Sequence, residues 1–310
     1  MATGANAVFQ NLVPFEKQRI FTPLGMRFWD FALDQTVDDG LRVFAVSPVP
    51  GLEPVAAVRT LSGVYAFQGL PGLRDIEYPR GDSSPVSSPP HAIPFVIVVC
   101  DLLRRYLPQV FTIDLPLPYR GVFLSNEVTS PPGAAARAYL FSASTRVVPS
   151  GCATMRAQLW DKAADAPAPH GVLQVTVANN VWTGIADEKG MVALFFPYPL
   201  LERLSLGSPP GSGQGNIYNT TWPVAVQVRY QPSKLRFPLA ASNLSPPWPT
   251  TPSLKSILSD QGSATIWNTE AGPPTATIAV TLQYGVQLVL RTGSILTEHF
   301  SGSLLITPGP

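Results

Sequence analysis

"FWDFALDQTVDDGLRVFAV" (residues 28–46) and "LWDKAADAPAPHGVLQVTV" (residues 159–177) decide how the chain is read. Each opens with an apolar residue and a Trp-Asp pair, reaches a Gly eleven residues after the Trp, and runs into a short apolar strand. Trp29, Asp30 and Gly40 thereby correspond to Trp160, Asp161 and Gly171. Downstream the likeness returns: "SGVYAFQGLP" from Ser62 aligns with "KGMVALFFPYP" from Lys189, each a Gly followed by an alternating apolar strand that ends in proline. Words recurring at a period of about 130 residues indicate a duplicated β-unit of domain size, well above the 20–50 residue period of a solenoid. The equivalent Trp29 and Trp160 are expected to plug two equivalent cores.

Outside these words the composition points the same way. Thirty-four prolines and twenty-four glycines are spread over 310 residues, leaving few windows long enough for a helix and many of strand length. Leu41 to Val46, Phe95 to Cys100, Val172 to Val177, Val224 to Tyr230, Thr275 to Leu282 and Val286 to Leu290 are short, rich in β-branched or aromatic residues, and bounded by turn formers. The expected fold is all-β, with tandem β-sandwich domains, an N-terminal arm and a C-terminal β-rich unit carrying one short helix. That helix falls on "TPSLKSILSDQG" (251–262), with Thr251 as N-cap, Pro252 in the first turn and Gly262 at the stop. Asp101 to Tyr106 is a weaker helical candidate, which Pro108 must end.

Ser/Pro- and Gly-rich stretches at 80–94, 129–138 and 205–216 mark loops and linkers. The expected division is an arm over 1–24, a first sandwich over 25–128, a second over 129–204, a linker over 205–221 and a separate C-terminal unit over 222–310.

Charged residues make up only 13% of the chain against 45% apolar, and the net charge is +1. No basic stripe is present, so nucleic acid is not an expected partner. A surface so poor in charge suits a subunit covered by neighbours in a multi-copy assembly. Met1 to Val13 lacks the pattern of a secretory signal, and Ile93 to Leu103 is too short and too interrupted to span a bilayer, so assembly in the cytoplasm is expected.

Chemistry is sparse. His91, His170 and His299 stand at no metal-ligand spacing, and Cys100 and Cys152 read as buried free thiols. Asp38 with Asp39 and Asp187 with Glu188 are adjacent carboxylates, which turn and cap roles explain. The word "GSGQG" lacks the Lys-Ser/Thr of a phosphate loop, and no G-x-S-x-G is present. No catalytic, cofactor-binding or metal-ligating residue is expected, and no cofactor. The candidate interface residues are Leu12, Phe15 and Phe21 in the arm, which has no core of its own, and Trp222 and Trp248 beside prolines. Asp187 and Gly190 form the candidate structural turn.

The order "GIADEKG", apolar strand, proline resembles the carboxypeptidase-regulatory or transthyretin-like β-sandwich, through Gly184, Asp187, Gly190 and the strand from Met191. That resemblance implies that the Asp-x-x-Gly turn is structural and joins the two strands of a hairpin. On a larger scale the arm, "GMRFWD", "SGVYAFQGLPGLRDIEY", "VCDLLRRYLP" and the closing "LQYGVQLVLRTG…LLITP" together resemble an accessory baseplate-region protein of phage-tail-like contractile injection systems. That resemblance implies a structural subunit near the baseplate and spike, with other particle subunits as partners. The rival expectation is a surface protein whose sandwich binds carbohydrate or protein.

Overall fold

A chain with so many proline and glycine breaks can satisfy its backbone only through short strands laddered to others distant in sequence, and the structure is all-β. The computed structural model describes residues 21–78, 92–119, 121–124, 130–131, 134–199, 217–239, 250–293 and 302–309.

The first half contains β1 (Leu24–Met26), β2 (Phe28–Asp30), β3 (Gln35–Val37), β4 (Leu41–Val46), β5 (Val55–Ala56), β6 (Val58–Arg59), β7 (Tyr65–Phe67), β8 (Ile93–Asp101), β9 (Gln109–Leu115) and β10 (Ala138–Leu140). The second half contains β11 (Cys152–Asp161), β12 (Ala166–Pro167), β13 (Val172–Val177), β14 (Asn180–Ile185), β15 (Met191–Pro197), β16 (Thr221–Arg229), β17 (Ser263–Ile266), β18 (Ile278–Gln283), β19 (Leu288–Leu290) and β20 (Leu304–Thr307).

The two halves share one topology in one register. On one sheet Met26 faces Tyr65 as Ala157 faces Val192, and Asp30 faces Gln35 as Asp161 faces Ala166. The last strand lies parallel to the first in both, with Trp29 opposite Tyr139 and Trp160 opposite Leu305. On the other sheet β5-β4-β8-β9 repeats as β14-β13-β16-β18, with Leu41 opposite Asp101 and Val172 opposite Arg229. Even the isolated bridge from Gly25 to Val122 has its counterpart in the pairing of Arg156 with Val289. A one-residue slip would exchange core and solvent faces, so agreement at all these pairs marks two copies of one sandwich.

This grouping differs from the expected division. Residues 138–142 close the first sandwich through β10, so its boundary lies after them and not at 128. The stretch over 222–310 is no separate unit: β16, β18, β19 and β20 complete the second sandwich by pairing with β13 and β11. Of the expected linker over 205–221, residues 205–216 lie outside the described residues.

The Trp-Asp pairs also sit otherwise than expected. In β2 and β11 the residues flanking the Trp are buried, Phe28 with Asp30 and Leu159 with Asp161, so strand alternation turns Trp29 and Trp160 to the other face, half-buried. The Asp is what the pair places inside. Asp30 caps the following turn through the Ala32 amide at 2.8 Å, and Asp161 does so through the Ala163 amide at 2.9 Å.

The expected helix at 251–262 is a short segment, helical at Leu254–Lys255 and π-helical over Ser256–Asp260. Its carbonyls at Leu258 and Ser259, and that of Gln261, accept from the Arg229 guanidinium at 2.6, 3.0 and 3.0 Å. It belongs to an insertion between β16 and β17 with only the short turn from Asp101 to Tyr106 as counterpart. That turn is not helical: the Asp101 carboxylate, at the end of β8, accepts the amides of Leu103, Arg105 and Tyr106. Leu254, Ile257 and Leu258 of the insertion, with Val172 and Ile185, pack into the core of the first sandwich, so the insertion fastens the copies together.

Candidate functional site

The corner before β15 shows what the acidic turn does. Asp187 Oδ1 accepts the amides of Lys189 and Met191, both at 2.9 Å, and the Asp187 amide donates to the Met191 carbonyl. Gly190 has φ +74, and a Cβ there would run into the Leu159 carbonyl oxygen. That approach is used, because the Leu159 amide donates to Gly190 O at 2.8 Å. The turn does not join a hairpin as the transthyretin-like resemblance implied: β14 ladders to β13, β15 ladders to β11, and the corner carries the chain from one sheet to the other.

Between the copies lies a cleft of about 430 Å³, lined by Leu107, Ser144, His170, Asp187, Met191 and Ile257 among others. Ser144 Oγ donates to Asp187 Oδ2 at 2.7 Å, so the carboxylate is bonded through both oxygens. His170, on a left-handed backbone at φ +59, is held neutral because burial lowers its pKa to about 4, with Asp187 pulling the other way. The serine donates to the carboxylate and not to the imidazole, so these three residues do not form the nucleophile-to-base relay of a hydrolase.

The strap between the copies, residues 141–151 joining β10 to β11, is held on both sides. Arg146 is buried against Asp30, pairing with both carboxylate oxygens, and Tyr106 Oη donates to Asp30 Oδ2 at 3.0 Å. Desolvation, with the Asp30 charge second, pushes the Tyr106 phenol far up. From the second sandwich, Arg156 on β11 donates to the carbonyls of Ser144 and Arg146. Alongside, Phe31 packs on Tyr139, Phe141 and Trp182 at 5.2, 5.3 and 6.3 Å, and Trp182 stacks on Phe196 at 5.8 Å. Nothing in the sequence marked Arg146, since its partner lies 116 residues away.

Of the candidate interface residues, Phe21 is 41% exposed and its amide donates to Glu77 O in the short helix α1 (Arg74–Glu77). Trp222 is half-buried at the start of β16 and touches Tyr198 at 5.6 Å; Tyr198 in turn touches Tyr284 at 4.6 Å, and Tyr284 lies 6.2 Å from Tyr218. Tyr218 is 62% exposed, so the four rings form an aromatic cluster open to solvent on one side. Leu12, Phe15 and Trp248 lie outside the described residues. Cys152 is buried and Cys100 half-buried, and desolvation pushes both thiols up.

No family model and no curated protein matches the sequence. Among solved structures the chain is similar to the minor pilin of Streptococcus agalactiae, at 8% identity over 93% of this chain and 98% of that one, with a TM-score of 0.20. It is similar as well to the shaft pilin SpaA of Lactobacillus rhamnosus GG, at 9% identity over 95% and 99%, with a TM-score of 0.21. Scores this low carry nothing about function.

Proposed function

We propose that the chain is a non-enzymatic structural subunit of a multiprotein particle, and specifically of a contractile injection apparatus at or near its baseplate and spike. The observation that carries the structural reading is the coupling of the copies: a buried ion pair, an aromatic seam and a docked insertion hold two sandwiches against one another. A spacer of fixed geometry needs such coupling, whereas binding modules on a tether do not. The particle itself is suggested by the order of words along the chain and by a surface with so little charge. Purification of the source particle tests it: the protein should co-purify with sheath, tube and baseplate components, and recovery solely as a free monomer would overturn the assignment.

One observation favours a second reading, a carbohydrate- or protein-binding module. The cluster of Tyr198, Trp222, Tyr284 and Tyr218 offers ring faces of the kind that anchor partners. Under that reading the isolated protein binds a glycan or receptor, and Trp222→Ala abolishes the binding while the fold survives.

A further inference from the structure

The duplicated sheets end in equivalent strands, β9 and β18, but their outer edges are treated differently. At β9 the edge is met by another segment of the chain: Val110 bridges in parallel to Ser253, in the insertion of the second sandwich. Among the described residues nothing bonds to the outer edge of β18.

Which groups are left over follows from the ladder. The two-residue turn at Ala178 and Asn179, with φ +45 and +67, makes Val177 and Asn180 a bonded pair. Alternation then turns Val175 and Leu173 toward β14, and Thr176 and Gln174 toward β16. Carried across β16, it puts Ile278, Val280 and Leu282 in bonds to β16, and leaves the N–H and C=O of Ala279 and Thr281 pointing outward. Pro223 agrees independently, since it lies opposite Thr281, where an antiparallel pair needs no donor. The edge carries no charge, no proline and no bulge, the devices that usually block strand addition.

We propose that β18 accepts an added strand from a second copy of this chain, supplied by the N-terminal arm. Twenty residues precede Phe21 and would span roughly 60 Å when extended. They include "AVFQNLV" (residues 7–13), an uncharged run that holds the β-formers Val8, Phe9 and Val13 and is one residue longer than the six-residue edge. Neutral strand meets neutral edge, and the added strand would continue the sheet as Ser253 does at β9. The choice of a second copy rests on the reading of the protein as a subunit present several times in a particle.

Mixing two variants of the full chain tests this. Removal of residues 1–20 leaves an acceptor with no donor, and Thr281→Pro leaves a donor with a closed edge; Thr281→Lys serves if the proline variant fails a thermal melt. Sedimentation should show concentration-dependent chains for the parent, a monomer for each variant alone, and a one-to-one complex when the two are mixed. Assembly that survives arm removal would mean pairing of two β18 edges and would overturn the proposal. So would assembly unaffected by closing the edge, a parent that stays monomeric, or failure of the mixed variants to pair. Co-purification with particle components is scored separately, so the particle reading can stand while the strand exchange falls.

Discussion

Thr60 and Asp187 hold the same place in the two sandwiches. Each accepts the amide four residues on through its side chain, Val64 at 3.1 Å and Met191 at 2.9 Å, and donates its own amide back to that residue's carbonyl. A hydroxyl and a carboxylate therefore do this one task alike, and the carboxylate adds in its own copy the bonds from the Lys189 amide and the Ser144 hydroxyl. Asp187→Thr keeps the Met191 amide satisfied but loses the Ser144 and Lys189 bonds, so it should cost less than Asp187→Ala by about 1 kcal/mol. Denaturant melts of the two variants read it directly.

Glu188 and Gly190 separate appearance from role in the same turn. Glu188 is exposed, and Glu188→Ala should change stability by no more than about 0.5 kcal/mol. Gly190→Val meets both an unfavourable positive φ and the Leu159 carbonyl, and should cost on the order of 3 kcal/mol or prevent folding. Soluble yield and thermal midpoint distinguish the two.

The strap should behave as a coupled pair. Asp30→Ala or Arg146→Ala leaves a buried charge alone and should cost about 3–5 kcal/mol. The double variant should lose far less than the sum, because no stranded charge remains. A double-mutant cycle by denaturant melts measures the coupling, and simple additivity would mean the pair contributes nothing as a pair.

His170 gives the fold a pH slope of predictable sign. Its folded pKa of about 4 lies below the ordinary 6.5, so the unfolded chain binds the extra proton between those values. Stability from this group is therefore full above about pH 6.5 and is lost as pH falls toward 4, by on the order of 3 kcal/mol in all. His170→Asn tolerates the left-handed backbone and should flatten that region of the profile in melts taken across the window.

The sandwich class and its duplication were legible because they rest on short local words: the Trp-Asp turn, the Gly before a strand, the alternation that follows. Domain boundaries were not, because pairing such as β11 with β20 joins residues more than 140 apart and leaves no local trace. The inward face of the Trp-Asp pair was misread for a related reason. Size alone favours burying the Trp, and only the turn amides that the carboxylates accept, at Ala32 and Ala163, show why the Asp goes in. Likewise "SPPGSGQGN" has the composition of a linker whether it joins two sandwiches or two strands of one.

In each sandwich the last strand runs parallel to the first, β10 beside β2 and β20 beside β11. Tension applied at the two ends of a copy thus slides these neighbours along one another, loading the bonds between them together. An antiparallel closure would let those bonds break singly, like a zip. The chain strings two such units together, with the Asp30–Arg146 ion pair clasping the strap to the first of them.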